Sequence, residues 1–497
     1  MTLDPRTPVL VGVGQVTTRP SAGARFADAP TPLDLMTEAL ELASADAHAT
    51  TSLLAQLDEL IAIGSFTWHP RDPAALVAER LALRPNATSL TPTGGNLPQK
   101  IVHATARRVA SGEVACVAVV GSEAMHAHAL ARREGVALDW PTQSDDVPRP
   151  TMVEEERIPF TAEEYEQGLH LPVDVYPLFE NARRFARGWN VSEHRERLGR
   201  LWQHFARVAA ENPYAWLRDA PDAATITTPS AANRMVAFPY TKLLVANLPV
   251  DMGAAFIMTS YEFARAHGVP QDRMIFPQAG AEANDHWFVS ERPRLDDSPA
   301  MRAIWDALRS NGAHVDDFAH VDLYSCFPTV VQCASEVLGL DPFDPARVPT
   351  VTGGLTFFGG PGNNYVTHSI ASMVERLRED PTSQGLVSAL GWFSTKHAWG
   401  TYAATPPPQG FFWRSVQDVV DRQPTCVTVT TNASVTVESY TVTHGRDGAP
   451  KRLIVAGRLD DERRLWSHSD DATLMASAET DELIGRRGEV RDGTFTL

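Results

Sequence analysis

No stretch of the chain approaches the ~20 consecutive apolar residues that a membrane helix requires, so a membrane-spanning protein is not expected. Cysteine is scarce. The four present (Cys116, Cys326, Cys333 and Cys426) lack the close spacing of metal ligands, which argues against a zinc module and fits a reducing, intracellular setting. Positive charge is also short: Lys and Arg number 44 against 61 Asp and Glu, a formal net charge of −17. That balance argues against a protein whose main task is to hold nucleic-acid phosphates. The opening MTLDPRTPVLVGVG carries no basic region ahead of a long apolar run, so no signal peptide is expected and a cytoplasmic location is. The preference for Arg over Lys, with abundant Ala and Pro, fits GC-rich bacterial coding.

What is present is an ordinary globular composition, 43% hydrophobic and 21% charged, in a chain long enough for two or three domains. Val9 to Gly14 reads as a buried strand. A helix follows with Leu33, Met36, Leu40, Ala43 and Ala47 on one face, then the short run Leu60 to Ile63. A helix from about Leu97 to Ala110 leads into VACVAVVGSEAM, a strand apolar on both faces. Such strands, separated by helices, predict an α/β sheet covered on both sides. From about Met125 to Asn233 the chain turns charged and Trp-bearing, and reads as an insertion over that sheet. The α/β pattern resumes with VDMGAAFIMTS, HVDLYS, a helix opened by Pro328, the glycine-rich GGLTFFGGPGNNY, a helix through Met373 and Leu377, and GLVSALG. The Pro-rich AATPPPQG (residues 403–410) marks a boundary. Beyond it CVTVTT, SVTVESYTV, RLIVAG and TLMAS are β-like, predicting a small barrel or sandwich over 411–497, of OB type as one option.

Open α/β sheets place their sites at strand ends, where TGGNLPQ, LYSCFP, FFGGPGNNY and ALGWFSTKHAWG stand. In TPTGGNLPQKIV two glycines and an asparagine precede an apolar helix, the arrangement of a backbone-amide site for an anion or oxyanion. It holds no Cys, Ser or Lys ahead of the helix that could attack a bound group.

These segments, with VLVGVGQV and SGEVACVAVVGSEAM, resemble the thiolase superfamily in order and spacing over about residues 8–405. The likeness is to its acetyl-CoA acetyltransferase and sterol-carrier-protein-type branch, and with the extra C-terminal domain the chain is most similar to the thiolase-like proteins type 1. The resemblance implies a five-layer αβαβα fold of two similar halves, 1–270 and 271–405. A loop domain (about 126–233) is inserted in the first half, and an added β-rich domain occupies 411–497. It implies CoA or an acyl-CoA as ligand, no tightly bound cofactor, a setting in lipid metabolism, and dimers by family habit. The extra domain leaves a monomer open.

The family's reaction needs a nucleophilic cysteine at a helix N-terminus, a second cysteine and a histidine. Matched by position these fall on Gly95, Ala389 and Gly360, none of which can perform the step, and Tyr324 takes the place of the family's Asn or His. The ordinary thiolase reaction is therefore not expected. Tyr324 reads either as a packing residue with a satisfied hydroxyl or as an acid/base that polarises a carbonyl; His397 is a second catalytic candidate. Gly94, Gly95, Asn96, Ser325, Cys326, Gly360, Asn363 and Tyr365 are the candidate ligand-binding residues, with helix capping the competing reading for Asn96 and turn or capping chemistry for Asn363 and Asn364. Three functions follow: an acyl-CoA- or CoA-binding protein without thiolase chemistry, an acyltransferase or retro-aldol lyase using Tyr324, or a scaffold or nucleic-acid binder acting through the C-terminal domain.

Overall fold

The computed structural model describes residues 3–21 and 23–497; Met1 and Thr2 of the N-terminal segment read above lie outside them. Along the chain the strands are β1 (Pro8–Thr17), β2 (Glu59–Ala62), β3 (Ala87–Leu90), β4 (Cys116–Ala124), β5 (Thr151–Met152), β6 (Met235–Ala237), β7 (Tyr240–Thr241) and β8 (Asp251–Ser260). They continue as β9 (Phe276–Asn284), β10 (Phe318–Asp322), β11 (Gln384–Gly391), β12 (Lys396–Ala403) and β13 (Phe412–Ser415). The last five are β14 (Ala433–His444), β15 (Pro450–Arg458), β16 (Arg464–Ser469), β17 (Arg487–Arg491) and β18 (Thr494–Thr496).

Two sheets form the body. The first runs β1-β8-β4-β2-β3-β5 and the second β10-β11-β12-β9-β13. Their halves match strand by strand. β1–β8 and β8–β4 pair antiparallel and β4–β2 parallel, while β9–β12 and β12–β11 pair antiparallel and β11–β10 parallel. Two helices, Leu97–Ser111 and Tyr365–Glu379, lie between the sheets and touch both. Pro32–Asp46 covers the outer face of the first sheet and Pro299–Ser310 that of the second, which completes the five-layer αβαβα body of two similar halves. The central position explains the burial of Tyr365–Glu379, where Val366, Ile370 and Val374 are fully buried. At the seam of the two sheets Leu10 bridges to Ile275.

The C-terminal part is a closed five-stranded barrel. β14, β15, β16, β18 and β17 pair in turn, and β17 returns to β14. Its interior is Val435, Val437, Leu453, Val455, Leu465, Val490 and Phe495, the alternation that a half-buried strand requires. The segment that follows the insertion contributes β6 and β7 to the edge of this sheet.

Three local expectations change. TLMAS is helical rather than β: Asp471 caps Ala472–Ala478 by accepting from Leu474 N at 2.8 Å, and the cap outweighs a short apolar run. CVTVTT forms only the isolated bridge Thr428–Arg464. The segment just after the Pro-rich break still belongs to the second sheet, because β13 pairs parallel with β9, so the barrel begins later than residue 411.

Candidate functional site

The two central helices point their N-termini toward one another's loops. The TGGN loop before Leu97 and the GGPGNN loop before Tyr365 meet the strand end Tyr324–Phe327 and the β11–β12 turn at a cavity of about 320 Å³. Of the residues expected to bind ligand, Gly94, Gly95, Cys326, Gly360 and Asn363 line it, together with Tyr324. Its remaining walls are mostly apolar and include Leu171 and Tyr176 from the insertion and Leu248 from the segment that leads into β8.

Gly95 and Tyr324 meet at the inner wall of the cavity. A Cβ on Gly95 would fall 2.5 Å from Tyr324 Oη and 2.6 Å from the Leu390 carbonyl oxygen. The space that a cysteine side chain would need is therefore filled by the tyrosine hydroxyl and the β11 backbone. Gly360 differs: a Cβ there meets nothing closer than Ala246 at 3.4 Å. The tyrosine hydroxyl fills the space beside Gly95, whereas a side-chain carbon at Gly360 would meet only ordinary van der Waals contacts with Ala246, Asn247 and Leu248.

Tyr324 is 6% exposed, and its ring stands edge-on to Tyr365 with centroids 5.6 Å apart. Burial pushes its phenol well above the ordinary value, reinforced by the neighbouring Cys326. The hydroxyl therefore keeps its proton and is able to donate a hydrogen bond. Other buried tyrosines are committed: Tyr176 donates to the Trp392 carbonyl at 2.7 Å, Tyr240 to Glu180 at 2.6 Å and Tyr402 to Gln99 at 2.6 Å. Burial also raises the Cys326 thiol to about 12, so it is inert at neutral pH.

Capping does not account for the asparagines. Asn363 Oδ1 accepts from Gly94 N at 2.9 Å and its Nδ2 donates to the Gly64 carbonyl at 2.7 Å. It thereby clasps the two first-half loops at the cavity wall. The Gly94 amide is thus occupied and not free for an oxyanion. Asn364 donates to the Gly121 carbonyl at 2.7 Å. Asn96 stands at the N-cap position in αR geometry with no side-chain cap, because that backbone turns the amide away from the first turn. Its Oδ1 is buried without a partner.

Four other sequence-derived positions lie outside the cavity wall. His397, in β12, is buried, with Nε2 3.0 Å from the Ser394 carbonyl and 3.5 Å from Asp285 Oδ2. The arrangement is an internal pair; Asp285 is held below the carboxylate range despite burial by His397, Arg292 and Ser298. Tyr365 engages Thr352 at 2.7 Å and Asp322 at 3.4 Å behind Tyr324. Ser325 accepts from Leu355 N at 3.2 Å, and Ala389 is buried within β11. Sequence reasoning missed Tyr176, which also accepts from Ser394 N at 2.8 Å, and Phe66. It also missed Trp392, although the ALGWFSTKHAWG segment contains it. Trp392 sits at φ +55 in the β11–β12 turn, a conformation that non-glycine residues rarely adopt.

No cationic, anionic or histidine side chain lines the cavity among the described residues, and no described cluster has the make-up of a metal site. On the barrel, Arg452, Arg458, Arg463, Arg464, Arg487 and Arg491 each pair with a carboxylate. They do not form the unpaired basic stripe of a nucleic-acid surface.

Comparison with known proteins agrees with this architecture. Residues 415–494 match the family model of the thiolase-like protein type 1 additional C-terminal domain. A search of curated proteins finds no match. Among solved structures, a monomeric SCP2-thiolase-like protein type 1 from Mycobacterium smegmatis is 30% identical with a TM-score of 0.84, and the alignment covers 99% of each chain. The Ltp2–ChsH2(DUF35) aldolase (19% identity, TM-score 0.58, 81% of this chain and 99% of that one) shares the fold. So does human mitochondrial 3-ketoacyl-CoA thiolase (16%, 0.55, 81% and 100%). With the αβαβα body, the added barrel and a relative matched from end to end, this chain belongs to the SCP2-thiolase-like protein type 1 family.

Proposed function

We propose that the protein binds an acyl-CoA without performing the thiolase reaction, holding the thioester carbonyl by a hydrogen bond from the Tyr324 hydroxyl. The carrying observation is that hydroxyl: nine-tenths buried, protonated, facing an apolar cavity and standing where the nucleophile's side chain would be. A neutral donor in a water-poor pocket orients a carbonyl well. With glycine at position 95 no covalent acyl-enzyme forms. The lyase reading needs a base for the substrate hydroxyl in addition to a proton donor. The cavity lining supplies no carboxylate or imidazole for it, so binding is the better supported function.

Calorimetry of the full chain with octanoyl-CoA, paired with a thiolysis assay on acetoacetyl-CoA, tests this. Binding without turnover is expected. Tyr324→Phe should weaken the acyl ester by about fivefold, the worth of one hydrogen bond of roughly 1 kcal/mol. Measurable thiolysis, or the absence of acyl-CoA binding by the folded protein, would sink the proposal.

A further inference from the structure

We infer that a second chamber, beyond Phe66, receives the far end of the acyl group, so that the protein selects long acyl tails over short ones. This rests on the acyl-thioester reading of the inner cavity. The inner space of about 320 Å³ holds on the order of ten non-hydrogen atoms at the ~30 Å³ a water occupies. A longer chain must leave it.

A way out is present. A chamber of about 660 Å³ adjoins the inner one, and Phe66, Thr93 and Asn363 form walls of both. Two of these walls are fixed. Thr93 N donates to Glu156 at 2.7 Å, and Asn363 is clasped at both ends. Phe66 is different: its backbone is pinned by Glu123, which accepts from Phe66 N at 2.5 Å and from the Ser65 and Thr67 hydroxyls at 3.1 and 2.9 Å. The residue as a whole is 43% exposed. A free ring on a pinned loop is a partition that opens by side-chain rotation alone, without moving backbone.

The chemistry of the outer chamber suits a tail rather than a CoA head group. Its floor is Met36, Ile63 and Trp68, all buried, with Leu90 and Met152 beside them. Its charges are Arg71, Arg149, Asp145 and Glu156, two of each sign, and Arg71 is already paired with Asp145 and the Val147 carbonyl. A group carrying several phosphates would find no net positive field there, whereas an alkyl chain gains the full transfer of its methylenes out of water.

The test is the affinity of the full chain for butyryl-, octanoyl- and palmitoyl-CoA, each below its micellar concentration. Every methylene seated beyond Phe66 should tighten binding, by up to about fourfold, so palmitoyl-CoA should exceed octanoyl-CoA by at least about tenfold. Met152→Trp fills the outer chamber from a half-exposed edge position and should cut the palmitoyl-to-octanoyl ratio by about tenfold; Met152→Ala, which leaves the chamber open, should preserve it. Equal affinities for the two longer esters, or a ratio untouched by Met152→Trp, would overturn the second chamber alone. Failure of all three esters to bind removes the acyl-thioester reading and the chamber with it.

Discussion

Gly95→Ala measures how completely Tyr324 fills the space beside Gly95. The added methyl would lie 2.5 Å from Tyr324 Oη and 2.6 Å from the Leu390 carbonyl, both inside contact distance. The carbonyl belongs to β11, where Leu390 is paired with His397 of β12, so backbone rather than a flexible side chain would have to give way. The tyrosine ring is held against Tyr365. Overpacking of this kind costs about 1–3 kcal/mol. Tyr324→Phe removes the nearer obstacle and leaves the ring carbon Cζ at 3.1 Å. The same glycine substitution in that background should therefore cost about 1 kcal/mol less, a coupling of the size contacting residues show. Tyr324→Phe alone should be close to neutral in the absence of ligand, since no described partner bonds the hydroxyl. Urea titration of the four proteins, read by pulse proteolysis, gives the cycle. If Gly95→Ala stays within ~0.5 kcal/mol of the parent, or costs the same in both backgrounds, Tyr324 does not fill that space and the functional reading loses its foundation. Gly95→Cys should likewise leave thiolysis undetectable, because its sulfur would be displaced from any position that Tyr324 and Leu390 occupy.

Two other perturbations reach the same loops. Asn363→Ala strips the Gly94 amide and the Gly64 carbonyl of their partners and should cost about 2–3 kcal/mol, with faster amide exchange at both loops; unchanged exchange there would refute the clasp. Glu123 gives a pH signature. Burial raises its carboxyl to about 7 despite donors from Phe66, Thr67 and Ser65, above the ~4.3 of an unfolded chain. The folded form keeps a proton that the unfolded chain releases, so this group's contribution is complete below about pH 4 and is lost as pH rises through about 7. Glu123→Gln should flatten the fall in stability between pH 5 and 7 by up to about 1.4 kcal/mol per pH unit; denaturation midpoints across that range check it, and parallel slopes for parent and variant would refute it.

The layered fold was legible because its signals are local. Short apolar runs such as Val9–Val13 and Val117–Val120 read as strands covered on both faces, and the helix face through Leu33, Met36 and Leu40 is buried as its spacing requires. The missing nucleophile was legible too, since no cysteine precedes Cys116. The packing over Gly95 was not: nothing in the TGGN loop signals that a tyrosine from the far half of the chain closes over it. The asparagines misled for a related reason. Asn96 and Asn364 stand where caps stand, but αR geometry at both removes the cap, and the bonds that Asn363 and Asn364 make reach loops and strand β4, all distant in sequence. His397 faces Asp285 across paired strands, a juxtaposition that register creates and local composition cannot reveal.

The barrel bears on the cavity by holding its outer wall. Leu171 and Tyr176 come from the start of the insertion helix Pro172–Ala186, and that helix is fastened to the barrel rather than to the sheets alone. Asn181 donates to the Tyr440 carbonyl at 2.8 Å, Ser439 donates to the Leu178 carbonyl at 2.6 Å, and Arg184 pairs with Glu482. From the other side Arg464, fully buried, grips Glu438 through two bonds of 2.8 Å and reaches the Val289 and Ser290 carbonyls of the second half. A buried charge pair of this kind contributes little net stability over an apolar isostere but strongly penalises loss of either partner. Its effect is to fix one docking geometry. The insertion is thereby clamped between body and barrel, which sets the distance from Leu171 and Tyr176 to Tyr324 and hence the width of the cavity. On this reasoning the added domain acts on the site through the helix it anchors, without contributing a side chain to the cavity.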